Sequence, residues 1–199
     1  MNIEFEKRER FYIDLICQMF EDNPERKNHI FGVVAKMKQI CGDLDIKLGS
    51  DVYEDCVTLA YLHDIGYAKP LNIFNFHAVD GFMYVLENLE GIVTNKFVAF
   101  AILNHTHSKL LFEMLLADDS LENIEYSKDI EELYELASNK LNGVYVQELV
   151  YLITLADMQV NSKGDFVSIS ERVDDVVCRY GNESVISKHI IEVKNIIKI

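Results

Sequence analysis

Apolar residues recur every three or four positions along most of this chain, which is the spacing of one face of an α-helix. We predict helices over residues 6–20, 24–42, 51–66, 77–89, 95–116, 145–159, 168–180 and 183–197, with a short helix around 130–137 in an acidic surface segment, 118–140. No stretch alternates apolar and polar residues clearly enough to predict a strand. The pattern therefore predicts an all-α fold.

Several predicted helix ends carry recognisable signals. Asn23-Pro24 is typical of an N-cap followed by proline in the first helical position. Ser50-Asp51 with Glu54 has the spacing of a capping box, and Gly66 is typical of the residue that follows a helix.

The chain of 199 residues is 49% hydrophobic and has only 2 prolines and 9 glycines, which favours long helices around one sizeable core. No repeat, low-complexity tract or linker interrupts the pattern. We therefore predict one domain over residues 1–199, with its core at about 24–160 and terminal helices within 165–199.

The formal net charge of −14 argues against a long nucleic acid as partner, because phosphate backbones recruit clusters of Lys and Arg. The same charge would repel a small phosphorylated substrate unless something positive offsets it locally. Bound metal ions would do so.

Compartment is inferred from cysteines and apolar runs. The four cysteines have no CxxC spacing, and Cys17, Cys41 and Cys56 lie on apolar helical faces, which predicts buried thiols in a reducing cytosol. The charged N-terminus is unlike a secretory signal, and no apolar run approaches the roughly 20 residues of a membrane-spanning helix. We predict a cytoplasmic protein with no membrane partner.

Four polar residues interrupt the apolar stripes: His29, His63, Asp64 and Asp157. An unpaired ionised carboxylate on a buried face costs several kcal/mol, to within an order of magnitude. Asp64 would also lie in the last turn of its helix, where the helix dipole disfavours an anion. A bound divalent cation removes both costs, so the set predicts a metal site.

These four residues resemble the H…HD…D signature of the HD superfamily of metal-dependent phosphohydrolases. Residues 62–67, LHDIGY, are similar to a segment of a bacterial subgroup of small HD proteins, and His77 with Asp80-Gly81 resembles the H-x-x-D/E-G that follows there. Parts of the chain from Leu155 through Arg172 and Arg179 also resemble that subgroup. The resemblance implies a helical HD bundle with a metal site in its core.

The resemblance also implies the ligands. His29, His63, Asp64 and Asp157 would hold a divalent transition metal, and such a nitrogen and oxygen set suits Mn, Fe, Co, Ni or Zn without choosing among them. Open coordination positions would take water and a substrate oxygen.

By the same resemblance, His77 and either His105 or His107 would bind a second ion or a substrate phosphate. The two last residues are two apart on a predicted helix and should point to opposite sides, so only one can serve. We favour His105 and keep His107 open. We interpret His189 as a solvated helix residue, and the tyrosines and phenylalanines as core residues, although one near the site could stack a base.

The sequence departs from two branches of the superfamily. Tyr67 occupies the place of the lysine in the HDIGK motif of the cyclic-dinucleotide branch, and no GYP follows. The HD…ED arrangement of guanosine-tetraphosphate hydrolases is also missing. Neither substrate is therefore expected.

The resemblance implies hydrolysis of a phosphate ester or anhydride of a nucleotide or related small metabolite, by attack of a metal-activated water. His77 and Lys69 are the candidates to neutralise charge on the transferring group or to protonate the leaving oxygen. Two alternatives stay open: a di-iron oxygenase of the same superfamily, and a non-catalytic module that senses a nucleotide. Self-association as a homo-oligomer also stays open, since no heptad pattern is long enough to predict it.

Overall fold

A computed structural model describes residues 3–118 and 127–197, and these residues form helices with two isolated β-bridges and no strand. The predicted all-α fold is confirmed. The helices, in chain order, are α1 (Ile3–Met19), α2 (Pro24–Asp43), α3 (Asp51–Leu62), α4 (His77–Asn88), α5 (Lys96–Leu103), α6 (Ser108–Ala117), α7 (Ser127–Leu141), α8 (Val144–Asp157), α9 (Ile169–Tyr180) and α10 (Val185–Ile197).

The helix starts follow local capping chemistry. The Asn23 side chain accepts a hydrogen bond from the Arg26 backbone N–H at 3.1 Å, and Pro24 is the first residue of α2, as predicted. The predicted capping box with Glu54 is wrong, because Ser50 is the N-cap of α3 and bonds to the backbone N–H of Tyr53. Glu54 forms an ion pair with Arg8 of α1 instead.

Three predicted helices differ from those observed. The predicted helix 51–66 ends at Leu62, and a 3₁₀ turn follows at Ile65–Tyr67. The predicted helix 95–116 is two helices, α5 and α6, joined by a 3₁₀ turn at His105–His107. The predicted short helix at 130–137 lies within the longer α7, and residues 119–126 of that acidic segment lie outside the described residues.

The helices that carry the candidate metal ligands pack against one another. α2 packs against α3 and α8, and α8 packs against α5 and the 3₁₀ turn at His105–His107. α4 packs against α5 and the turn at Ile65–Tyr67. The core between them includes fully buried Val33, Leu59, Ile102 and Ile153, and burial of each such side chain contributes about 1.5–3 kcal/mol.

The last two helices, α9 and α10, pack against each other around a small apolar cluster separate from the main one. That cluster contains Met158, Val173, Val193 and Ile197. α10 also contacts α6 and α8, so the pair lies beside the main core rather than apart from it.

The structure tests the burial predicted for three cysteines. Cys41 and Cys56 are buried as predicted, but the burial predicted for Cys17 is wrong. The side chain of Ile16 in α1 is fully buried, so the next residue along the helix, Cys17, about 100° around the axis, faces solvent.

Within residues 3–118 and 127–197, no helix combines the length and apolar character needed to cross a bilayer.

Gly66 allows the segment after α3 to touch α4 directly. A Cβ atom on Gly66 would overlap the carbonyl oxygen of His77 and lie 2.6 Å from the backbone nitrogen of Gly81. Both contacts are to backbone, which cannot move aside cheaply. The close approach sets the distance between Asp64 and His77.

Gly66→Ala should therefore lower the free energy of unfolding by about 1–3 kcal/mol or more, which is the cost of overpacking a core. Thermal unfolding would measure the change. Gly42→Ala is the matched control, because a Cβ on Gly42 meets nothing within 4 Å, and it should stay within about 1 kcal/mol of the parent. Equal melting temperatures for the parent and Gly66→Ala would contradict this interpretation.

Candidate metal centre

Three buried histidines are oriented by hydrogen bonds from Nδ1 to backbone carbonyl oxygens. Nδ1 of His29 lies 3.0 Å from the Asn161 oxygen, Nδ1 of His63 lies 2.9 Å from the Ala60 oxygen, and Nδ1 of His105 lies 2.6 Å from the Ile102 oxygen. A carbonyl oxygen only accepts, so Nδ1 must carry the proton. In the neutral ring Nε2 then keeps its lone pair, as a metal-ligating histidine requires.

The carboxylate of Asp64 lies between two groups of histidines. Its Oδ2 is 3.7 Å from Nε2 of His29 and 3.5 Å from Nε2 of His63. Its Oδ1 is 3.5 Å from Nε2 of His105 and 3.9 Å from Nε2 of His77. Each group, with Asp64, offers three ligand atoms within 4.8 Å of one another. We call these groups the His29 triad and the His77 triad, and Asp64 belongs to both.

Asp157, at the end of α8, lies beside the His29 triad. Its Oδ1 is 2.8 Å from Nε2 of His29, although both atoms are acceptors when Nδ1 is protonated. Among the described residues, Nε2 of His29, Nε2 of His63 and Oδ1 of Asp157 are buried without a hydrogen-bond partner. Buried acceptors that face one another are costly, and a divalent cation between them would make each a ligand. The residues present therefore fit a metal ion.

The protonation states also fit. Burial lowers the pKa of His63 to about 4. Burial alone would raise the pKa of Asp64, but Arg26 and His63 outweigh it and hold that pKa well below its ordinary value. At Asp157, burial is likewise outweighed by His29 and Arg172, and the pKa is lowered. Neutral imidazoles and ionised carboxylates are the forms that bind metals.

The pKa values of the two histidines of the His77 triad shift in opposite directions. Burial and the neighbouring His105 hold the pKa of His77 well below its ordinary value. Burial would also lower the pKa of His105, but the carboxylate of Asp64 outweighs it and raises that pKa. The Nε2 atoms of the two rings lie 3.1 Å apart. For both nitrogens to bind an ion, any proton on either of them would have to leave.

The structure places the remaining candidates differently. His107 joins neither triad, because the chain leaves helical geometry between α5 and α6, with φ of 47° at Thr106 and 55° at His107. Lys69 is exposed and pairs with Asp22, so its ammonium group does not reach Asp64.

The prediction that His189 is solvated is wrong. Its side chain is buried, and its Nε2 lies 3.3 Å from the backbone oxygen of His107. This hydrogen bond from α10 thus stabilises the strained turn that follows His105.

Arg26 is a site residue that the sequence analysis missed. One guanidinium nitrogen pairs with Oδ2 of Asp64, and the guanidinium lies 4.0 Å from the centre of the Tyr67 ring. The imidazole of His77 stacks on the same ring, with centroids 4.0 Å apart and planes within 13°. Two groups so close must lie on opposite faces, so Tyr67 has no free face for a base. The position of Arg26, three residues before His29 on α2, was the available signal.

A cavity of about 130 Å³ opens beside the two triads. Asp64, His77, His105, Asp157 and Arg26 line one side of it. Its other side comes from α9 and α10 and includes Arg172, Arg179, Tyr180 and His189. Cationic side chains thus lie next to the ionised carboxylates.

Comparison with known protein families gives a match. A family model described as HD domain matches residues 26–157, well over half of the chain. The matched stretch runs from Arg26 to Asp157 and includes both triads. Comparisons with curated proteins and with solved structures found no match.

The buried position of His189 predicts an acid-sensitive fold. Burial lowers the pKa of His189 to about 4, whereas an unfolded chain takes up this proton near 6.5. The metal-free protein should therefore lose stability as pH falls from about 6.5 toward 4, by about 2 kcal/mol from this residue between pH 7 and pH 5. Urea unfolding at the two pH values measures it.

His189→Gln is the comparison for that measurement, because it keeps a donor for the His107 oxygen and removes the titration. The other histidines contribute to both proteins, so the difference in pH dependence isolates His189. The same loss of stability between pH 7 and pH 5 in both proteins would contradict the interpretation.

Proposed function

The chain belongs to the HD-domain family, most of whose members are metal-dependent hydrolases, and we propose that it is a metal-dependent phosphohydrolase. Its substrate would be a phosphate ester or anhydride of a nucleotide or related small metabolite. The observation that carries the proposal is the Asp64 carboxylate shared between two triads of ligand atoms, beside a cavity lined by arginines.

The chain's own residues would act as follows. His29, His63, Asp64 and Asp157 would hold one ion, and His77 and His105, with Asp64, a second. Divalent ions at such a site supply an activated water and polarise a phosphoryl oxygen. Asp64 would fix the two positions relative to each other, and the Nδ1 hydrogen bonds would fix the imidazole planes.

His77 and Lys69 lie in different places, which supports different roles for them. His77 belongs to a triad and lines the cavity, which supports a role as ligand or as a donor to the leaving oxygen. Lys69 lines only an adjoining groove of about 410 Å³. From there it could contact the organic part of a substrate.

The dimensions support a small substrate. The cavity of about 130 Å³ is below the 300–1,000 Å³ usual for small-molecule pockets, but the adjoining groove shares Tyr67 and His77 with it. A phosphoryl group would enter the cavity and the remainder would lie in the groove, whose rim includes Asn72 and Asn75. These amides could hydrogen-bond to a base or a sugar. The net charge of −14 still disfavours a long nucleic acid.

Two rival functions would use the same residues. A di-iron oxygenase needs six protein ligands, and His29, His63, Asp64, His77, His105 and Asp157 could supply them. Fewer than two irons per chain after anaerobic purification would remove this rival. A nucleotide-sensing module would bind nucleotide tightly and release no product.

The direct test is phosphate release from nucleotides and phosphate esters by protein loaded with Mn, Co, Ni, Zn or Fe. Asp64→Asn should lower the rate at least about 100-fold, because it alters a ligand shared by both sites, and supporting residues alone often cost 10–100-fold. Asp43→Asn, an exposed change at the end of α2, is the charge-matched control and should keep full activity. Absence of phosphate release with every metal demonstrably bound would overturn the proposal.

A further inference from the structure

Three arginines line the cavity, and two of them lie outside the residues that the HD-domain family model matches. Arg26 comes from α2, whereas Arg172 and Arg179 come from α9, beyond residue 157. The helix pair α9–α10 therefore contributes cations to a site whose candidate metal ligands all lie within residues 26–157.

Arg172 has hydrogen-bonding capacity that the described residues do not use. Its Nε and Nη1 atoms are buried and have no hydrogen-bond partner there. Among the described residues, the carboxylates nearest to it are those of Asp175, 3.6 Å from Nη1, and Asp157, 3.9 Å from Nη2, both beyond hydrogen-bond distance. Leaving buried donors of a charged group unsatisfied is expensive, and a bound acceptor would remove that cost.

The local charges identify that acceptor as an anion. Among the residues that the structure describes, Asp64 and Asp157 line the cavity and Asp175 pairs with Arg179 at 2.8 Å, so three carboxylates balance the three arginines. Any divalent ion in the triads then makes the cavity net positive, despite the negative charge of the whole chain.

Size and geometry narrow the anion further. A cavity of about 130 Å³ has room for a phosphoryl group and not for a nucleoside. A guanidinium presents parallel N–H donors that match two oxygens of a phosphate. A terminal phosphoryl group carries three free oxygens and up to two charges, whereas a phosphodiester carries two free oxygens and one charge. The terminal group uses more of the available donors.

We propose that α9 completes the site, with Arg172 and Arg179 binding the oxygens of a terminal phosphoryl group, so that the substrate is a phosphomonoester or a terminal anhydride and not a phosphodiester. This inference rests on the proposed function, because it takes the two triads as the metal site. It assigns substrate recognition to a part of the chain outside the family match.

Binding of inorganic phosphate to the full-length, metal-loaded protein tests the inference without requiring turnover. Isothermal titration should show that Arg172→Ala weakens phosphate binding at least about 10-fold, since a hydrogen bond to a charged group is lost. Arg172→Lys should recover part of the affinity, because lysine keeps the charge but not the paired donors. Arg10→Ala, at an exposed arginine of α1, is the control and should bind like the parent.

Arg179→Ala keeps the test decisive if Arg172→Ala loses metal, because Arg179 contacts Asp175 and none of the candidate metal ligands. It should weaken phosphate binding several-fold at unchanged metal content. Parent-like phosphate affinity in Arg179→Ala, or in Arg172→Ala with its metal retained, would overturn the inference.

Activity separates this inference from the proposed function. If phosphate binding depends on the arginines but no substrate is hydrolysed, the inference is supported and the proposed phosphohydrolase activity is rejected. If the protein hydrolyses diesters and both arginine variants keep the KM of the parent, the phosphohydrolase activity is supported and recognition of a terminal phosphoryl group by the arginines is rejected.

Discussion

A buried carboxylate surrounded by imidazole nitrogens is the constraint on which the rest of this structure depends. Asp64 lies within 4 Å of the Nε2 atoms of four histidines that come from different parts of the chain. Apolar packing alone would exclude all of these groups from the core. Bound cations would make their burial favourable, and the helices that carry them are held in place by the large apolar cluster around them.

Backbone features at helix ends, more than the helices themselves, set the positions of the polar groups. Asp64 follows α3, His77 begins α4, His105 follows α5 and Asp157 ends α8. Gly66 allows the first two segments to touch, and two consecutive left-handed residues turn the chain directly after His105. Backbone strain of this kind persists where surrounding contacts impose it, and here the buried His189 supplies one of those contacts.

The sequence predicted the all-α fold and the four polar residues in apolar stripes because helical periodicity makes a buried histidine or aspartate conspicuous. It assigned no site role to Arg26, Arg172 or Arg179, although the last two lie in the stretch that resembles the small HD proteins. An arginine beside an apolar stripe looks like an ordinary solvated residue. The break between α5 and α6 was equally hidden, because no glycine or proline marks residues 104–108. His189 was misread because its partner, the His107 carbonyl, lies 82 residues away in the chain.

Diffraction from crystals of anaerobically purified, metal-loaded protein would test the centre most directly, through the anomalous signal of the bound ions. We predict one ion among His29, His63, Asp64 and Asp157, and a second among Asp64, His77 and His105. An ion bound elsewhere, with no anomalous peak next to Asp64, would contradict a metal centre at this position.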